Sequence, residues 1–222
     1  MRAFIFDLDG TLVDTVYGHV MALQRALEEA GLVVPGWRIH RRIGMSGGLY
    51  TRELAREIGR SVSPDEQEQL QRRQGELFRE LQPERRPLPG ARELVRWLHA
   101  HGVPFGIATS GRRPDIDASL AVLDLPPGLV ILERGDVLRA KPEPDLFLAC
   151  QERMGVRRED VYVVGDAVWD LLAARRAGML GVGLLSGGYC LDDLTRAGAF
   201  RVYRDPAELL DSLDELGVSS AT

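Results

Sequence analysis

Asp7 and Asp9 stand one residue apart in the stretch Asp7-Leu8-Asp9-Gly10-Thr11, and their types and spacing suit chemistry. Two carboxylates this close repel each other and lose hydration on folding, and a bound cation offsets both costs. Three further places carry polar groups of a matching kind. They are Thr109-Ser110, Lys141 in Lys141-Pro142-Glu143-Pro144-Asp145, and the pair Asp166 and Asp170 in Gly165-Asp166-Ala167-Val168-Trp169-Asp170. Each alone has a bland reading as a solvated turn or helix start, because a lone motif is only a hypothesis. Together they are carboxylates with one ammonium and one hydroxyl. Oxygen donors without His or Cys suit Mg²⁺, which keeps waters and takes one or two carboxylates beside a substrate phosphate.

Stepping groups so distant in sequence toward one place requires particular elements. The apolar run Ala3-Phe4-Ile5-Phe6 closed by an Asp-Gly turn reads as a buried strand of a parallel sheet. Val103–Ala108, Leu129–Leu132, Val161–Val164, Leu180–Leu185 and Phe200–Tyr203 read as further strands. Helices are expected at Ala91–Ala100, Pro114–Leu123, from Asp145 to Met154, and at Leu171–Ala177. Asp205-Pro206-Ala207-Glu208 opens a last helix with an N-cap and a Glu at N3. Strands separated by helices pair in parallel through right-handed crossovers. The fold class is therefore α/β, a Rossmann-like parallel sheet with helices on both faces. Strand carboxyl ends then share one edge, where such sheets put their ligands. Asp166 and Asp170 span a strand end and the first turn of the next helix, four apart and on one face.

Between the first strand and the rest the period is helical. Val16, Val20, Leu23, Leu27 and Ala30 form one face, closed by Gly31, and a Pro-Gly break follows at 35–36. A helix carrying Tyr50, Leu54 and Ile58 comes next, and Ser63-Pro64-Asp65-Glu66 opens another that runs to about Leu81. Pro83, Pro87 and Pro89 read as a linker. Residues 15–85 are thus expected to be an inserted all-helical cap domain, and residues 1–14 with 86–222 the core. The Ser219–Thr222 tail reads as disordered.

The chain has 222 residues, 45% of them hydrophobic, which suits one full core or a core with a smaller insert. A net charge of −5 without a long basic run excludes the electrostatic footprint of nucleic-acid binding. No apolar stretch approaches the ~20 residues of a membrane span, and the first residues enter a strand rather than a signal peptide. Cys150 and Cys190 read as small buried residues and reduced thiols, in keeping with a cytoplasmic protein. Nothing asks for more than a monomer or a weak homodimer.

The four segments, in this order and over most of the chain, resemble the four motifs of the haloacid dehalogenase (HAD) superfamily. The helical insert is similar to its C1 cap, and the nearest subgroups are the phosphoglycolate phosphatase-like and β-phosphoglucomutase-like enzymes. The resemblance implies a phosphatase acting on small phosphorylated metabolites, with Mg²⁺ as cofactor. Asp7 would be the nucleophile, forming an aspartyl-phosphate. Asp9 would protonate the leaving oxygen and then deprotonate water, its carbonyl serving the metal. Thr109, with Ser110 beside it, would hold a phosphoryl oxygen. Lys141 would neutralise charge between Asp7 and the phosphoryl group. Asp166 would ligate the metal, and Asp170 would hold a metal water or Lys141. These roles agree with phosphoryl transfer, which needs chiefly positioning and charge neutralisation. The acid/base Asp9 sets the chain apart from the dehalogenases. Gly111 and Arg112 replace residues that are often Asn or Lys in relatives, and Ala167 replaces a frequent Ser or Thr.

Specificity falls to the cap, which closes over the phosphate and excludes water. His19 reads either as a surface residue or as a partner of the acid/base Asp9. Arg42 and Gly44 lie in the stretch Arg41-Arg42-Ile43-Gly44-Met45-Ser46-Gly47, which is similar to a family loop that reaches the site. Arg42 is expected to fork a substrate carboxylate or second phosphate. Arg41, Arg112 and Arg113 read as solvated, and Trp169 as packing. The alternatives are a phosphosugar mutase on the same site, and a non-catalytic phospho-acceptor module of receiver type, which needs neither the second Asp nor a long insert.

Overall fold

A computed structural model describes residues 2–45, 47–139 and 141–219. Ser46 of the glycine loop and residues 220–222 of the expected tail lie outside the described residues. The chain runs through β1 (Ala3–Phe6), α1 (Val16–Glu29), α2 (Gly36–His40), α3 (Gly47–Glu57), α4 (Pro64–Leu81), α5 (Ala91–Ala100), β2 (Phe105–Ala108), α6 (Asp117–Ala121) and β3 (Val130–Leu132). It continues through α7 (Asp145–Met154), β4 (Val161–Gly165), α8 (Val168–Ala177), β5 (Leu180–Leu184), α9 (Leu191–Ala197), β6 (Ala199–Tyr203) and α10 (Pro206–Asp211).

The six strands form one parallel sheet in the order β3-β2-β1-β4-β5-β6. Strand side chains alternate between faces. Phe4 and Phe6 therefore enter one core with Leu94, Leu98 and Leu209 from α5 and α10. Ala3 and Ile5 enter the other with Leu146, Phe147 and Ala173 from α7 and α8. Burial on both faces is why β1 reads as a continuous apolar run. The order reverses between β1 and β4, which is the crevice where open α/β sheets hold ligands.

Helices α1 to α4 build a separate core from Leu23, Leu27, Ile39, Leu54, Leu70 and Phe78. Helix α4 starts at the expected capping box: Ser63 Oγ accepts from the Glu66 N–H at 3.2 Å, and Glu66 Oε2 accepts from the Ser63 N–H at 2.7 Å. A smaller cluster of Ala167, Leu171, Tyr189 and Leu194 lies under Trp169. Among the described residues no helix is long and apolar enough to cross a membrane.

Several elements differ from expectation. Helices α2 and α9 were not expected. The first directly follows Pro35 and has only five residues, and the second buries only Leu194 and Ala197. Helix α6 is shorter than Pro114–Leu123 because 113–116 are turn. Helix α8 begins at Val168, before Leu171. Cys150 is buried as expected, but Cys190 is exposed, because it precedes the surface helix α9.

Candidate active site

The sheet register brings the acidic residues together. Phe6 pairs with Val164, and the Asp7 N–H continues the ladder by donating to the Val164 carbonyl at 2.9 Å. Asp7 thus leaves β1 beside the end of β4, where Asp166 follows Gly165. On the other side, Ala108 pairs with Leu132, and the Thr109 N–H donates to the Leu132 carbonyl at 2.9 Å. Thr109 therefore stands at the same edge.

Lys141 closes this group. It is fully buried, with Nζ 2.5 Å from Asp7 Oδ1 and 2.9 Å from Asp170 Oδ1. The Ala167 N–H donates to Asp170 Oδ2 at 3.0 Å, and Thr11 Oγ1 donates to Asp166 Oδ1 at 2.8 Å. Asp7, Asp166 and Asp170 offer carboxylate oxygens that all lie within 4.8 Å of one another. Burial pushes the Asp7 carboxyl up from 3.8 to about 7, with Lys141 pulling it back only in part and Asp170 adding to the rise. Burial, then the charges of Asp170 and Asp7, hold Asp166 well above its ordinary value. Burial works against the Lys141 ammonium, yet Asp170 and Asp7 outweigh it and raise its pKa.

With all three carboxylates ionised, one ammonium would leave a surplus of negative charge in a dry site, and the raised Asp7 and Asp166 express that cost. Hard oxygen donors with that surplus fit a divalent cation such as Mg²⁺. The backbone leaves room beside them. A Cβ on Gly187 would stand 1.8 Å from Asp166 Oδ2, and one on Gly10 2.5 Å from the same atom. Gly10 also has φ +81°, so the turn after Asp9 needs glycine for both reasons.

Asp9 is set apart from this cluster. Its Oδ1 accepts from Thr15 Oγ1 at 2.7 Å and lies 3.4 Å from His19 Nε2. Burial raises its pKa, but His19, Thr15 and Lys141 outweigh that and hold the carboxyl below its ordinary value. The His19 ring stacks on Phe78 at 3.7 Å between centroids, and Arg85 lies over Phe78 at 4.0 Å. Gln74 Nε2 is 3.0 Å from His19 Nδ1, and Tyr50 donates its hydroxyl to Gln74 Oε1 at 3.3 Å.

A cavity of about 380 Å³ opens over Asp7, Asp9 and Thr109. Its walls include Ser110, Gly111 and Arg112 on the sheet side and Gly44, Gln71 and Gln74 on the helical side. Ser110 Oγ donates to the Gly44 carbonyl at 3.1 Å, joining the two sides.

Arg42 is not brought to this cavity. Its guanidinium pairs with Glu57, and it borders a separate shallow groove with Trp37 and Arg38. The helical turn at 41–44 directs it away, so that Ile43, Gly44 and Met45 form the wall instead. Arg41, expected to be solvated, pairs with Asp193 at 2.8 Å, and its carbonyl accepts from Trp169 Nε1 and Tyr189 Oη. Arg113 is exposed and pairs with Asp117. Thr11, Thr15, Tyr50, Gln74, Ser186 and Gly187 carry contacts that the sequence reading did not single out. Thr11 lies within the Asp-Gly motif, where its hydroxyl is a readable signal. Ser186, which donates to the Gly10 carbonyl at 2.6 Å, has no local signal.

A family model described as haloacid dehalogenase-like hydrolase matches residues 1–178. A phosphoglycolate phosphatase of Rhodospirillum rubrum is 31% identical over 237 residues, with 99% of this chain and 97% of that protein covered. The crystal structure of a hydrolase from Pseudomonas syringae superposes with a TM-score of 0.94 at 46% identity, covering 97% of this chain and 99% of that one. A β-phosphoglucomutase from Clostridium difficile superposes with a TM-score of 0.84 at 21% identity, covering 97% and 96%, which is a likeness of fold.

Proposed function

The chain belongs to the haloacid dehalogenase-like hydrolases, and from that premise we propose that it is a cytoplasmic, Mg²⁺-dependent phosphatase of small phosphorylated metabolites, phosphoglycolate among the candidates. In this reading residues 15–85 are the cap and residues 1–14 with 86–222 the catalytic core. The separate apolar cluster of α1 to α4 supports that division. The observation that carries the reading is the buried set Asp7, Lys141, Asp170 and Asp166, with Asp9 held apart by Thr15 and His19.

Asp7 is the nucleophile. Lys141 grips its Oδ1 and so orients the carboxylate toward the cavity. As the bond from Asp7 to phosphorus forms, the bond from phosphorus to the ester oxygen breaks. Asp9, ionised in the free site and protonated in the substrate complex, gives its proton to that oxygen, and the alcohol leaves. A water then attacks the phosphorus and yields its proton to Asp9. The bond from phosphorus to Asp7 breaks, and inorganic phosphate departs. Thr109 and the backbone N–H groups after Asp7 and Thr109 hold the equatorial oxygens. Asp7, Asp166, Asp170 and the Asp9 carbonyl would hold Mg²⁺, which when bound neutralises phosphoryl charge that would otherwise repel the nucleophile.

Hydrolysis is favoured over a mutase by the cavity wall. Arg112 and Arg134 line it from the sheet side, but among the described residues those that α1 to α4 and their loops place on it include no Lys or Arg, since Arg42 is turned aside. A reorienting bisphosphate would need a second cationic subsite there. The test is phosphate release from a panel of phosphorylated metabolites with Mg²⁺ and with EDTA. Mg²⁺-dependent release that disappears in Asp7→Asn, with the fold retained, is expected. Full turnover by that variant would remove the covalent mechanism, and isomerisation of a sugar phosphate without net release would favour the mutase.

A further inference from the structure

We infer that Gln71 is a specificity-determining residue whose amide reads a hydroxyl of the leaving alcohol, so that the cavity selects phosphate esters of polyhydroxylated alcohols of several carbons over phosphorylated carboxylic acids. The inference rests on the phosphatase reading and names the substrate class of that same site.

Gln67, Gln71 and Gln74 recur at i, i+4 and i+7 along α4, which puts them on one face of the helix, and all three line the cavity. A carboxamide is neutral and both donates and accepts hydrogen bonds. That matches a hydroxyl, which does the same, whereas a carboxylate only accepts and binds best to a cation. Gln74 is committed at both ends of its amide, to His19 and to Tyr50. Gln71 is different. It is partly buried on the cavity wall, and among the described residues its amide has no hydrogen-bond partner. A polar group so placed is completed by what enters the cavity.

Volume favours the same class. The cavity of about 380 Å³ falls in the range of pockets that enclose drug-sized ligands. At about 30 Å³ per water, it has room for about a dozen. A two-carbon acid would leave most of that space wet. A longer carbon chain fills it and lies against Met45 and Phe78 on the helical side.

The sheet-side arginines do not stand in for a cation on the helical side. Arg134 directs its guanidinium to the Val137 and Leu138 carbonyls, at 2.7 and 3.2 Å. Arg112 is exposed, so an ion pair between it and a substrate carboxylate is screened and contributes little. The hydroxyl-reading amide is therefore the stronger selector. A site that hydrogen-bonds a hydroxyl rejects the analogue lacking it, because its own polar group is then left unpaired.

Steady-state kinetics with Mg²⁺ separate the classes. Ribitol 5-phosphate is a five-carbon ester with hydroxyls, n-pentyl phosphate has the same length without them, and phosphoglycolate carries a carboxylate. The native protein should show a kcat/KM for ribitol 5-phosphate at least about tenfold above those for the other two. Gln71→Leu should lower kcat/KM for ribitol 5-phosphate about tenfold more than for n-pentyl phosphate, chiefly through KM. Gln71→Arg, which supplies the missing cation, should raise phosphoglycolate relative to ribitol 5-phosphate by about tenfold. Phosphoglycolate as the better substrate of the native protein, or an equal loss on ribitol 5-phosphate and n-pentyl phosphate in Gln71→Leu, overturns the inference while the phosphatase reading stands. If the native protein hydrolyses none of these esters, nor p-nitrophenyl phosphate, the phosphatase reading falls and the inference with it.

Discussion

Thr11 donates its hydroxyl to Oδ1 of Asp166 at 2.8 Å, across a fully buried contact that ties the loop after β1 to the loop after β4. That bond holds a carboxylate which burial and two neighbouring charges work against. Thr11→Val keeps the shape and removes the donor. A hydrogen bond to a charged group contributes about 1.5–3 kcal/mol, and loss of a partner behind a metal ligand costs about 10–100-fold in metal affinity. We expect a drop in stability of that order and a Mg²⁺ affinity weaker by that factor, measured by chemical denaturation and by calorimetric titration. An unchanged Mg²⁺ affinity would place Asp166 outside the metal site.

Lys141 is the one ammonium facing Asp7 and Asp170. Lys141→Met leaves carboxylates facing each other without it, and breaking a buried pair costs about 3–5 kcal/mol. The variant should be destabilised by that order in EDTA, and less in Mg²⁺, because the cation restores part of the lost charge balance. Turnover should fall about 10²–10³-fold or more. Urea unfolding with and without Mg²⁺ checks the first expectation. An equal deficit in both conditions would contradict it.

How much of this was legible follows from where each signal lies. The strands were readable because both faces of β1 and β4 are buried and their residues form unbroken apolar runs. Asp7, Asp9, Lys141, Asp166 and Asp170 stand in short local motifs that survive without coordinates. Helix α9 was hidden because Leu191-Asp192-Asp193 looks like loop, and only Leu194 and Ala197 face inward. The direction of Arg42 depends on one turn of chain and on Glu57, fifteen residues away. Gln74 reaches His19 across 55 positions, and Ser186 reaches Gly10 across 176. Such contacts exist only once the sheet and the helices have been assembled, and no spacing encodes them.

The pH dependence of metal binding follows from Asp7. Its carboxyl is raised from 3.8 to about 7, by burial first, so the folded protein holds that proton more tightly than the unfolded chain. The contribution to stability is therefore fully present below about pH 4 and is lost as the pH rises through about 7. Asp166, also raised, has the same sign. Mg²⁺ must displace these protons, so its stabilising effect should grow from about pH 5 to about pH 8. Melting temperatures with Mg²⁺ and with EDTA across that range measure it. A Mg²⁺ increment independent of pH would contradict the placement of the ion at Asp7.

Arg42→Ala tests whether the guanidinium pairs with Glu57 rather than with substrate. A partly exposed ion pair contributes about 0–1 kcal/mol. The variant should lose no more than that, and KM for each substrate found in the phosphate-release panel should change less than about twofold. A tenfold rise in KM for an anionic substrate would mean that Arg42 swings into the cavity during turnover.

Gly187 is a residue whose importance lies wholly in what approaches it. A Cβ there would stand 1.8 Å from Asp166 Oδ2 and 2.5 Å from its Cγ, nearer than any real contact. The carboxylate is the end of a side chain, but it is not free to swing, because Thr11 holds Oδ1 and the residue is buried. Gly187→Ala must therefore either displace Asp166 or shift the loop at 185–187. Because that loop is itself tied to Gly10 through Ser186, displacement of Asp166 away from Asp7 and Asp170 is the outcome we expect. The expected result is Mg²⁺ affinity reduced at least about tenfold. Its cost in fold stability should be modest, about 1–3 kcal/mol, as for other overpacked sites. Gly135→Ala is the control, since a Cβ there meets nothing within 4 Å. It should leave Mg²⁺ affinity and stability as they are. Equal effects of the two substitutions, read by calorimetry and thermal melting, would show that the crowding at Asp166 does not govern the site.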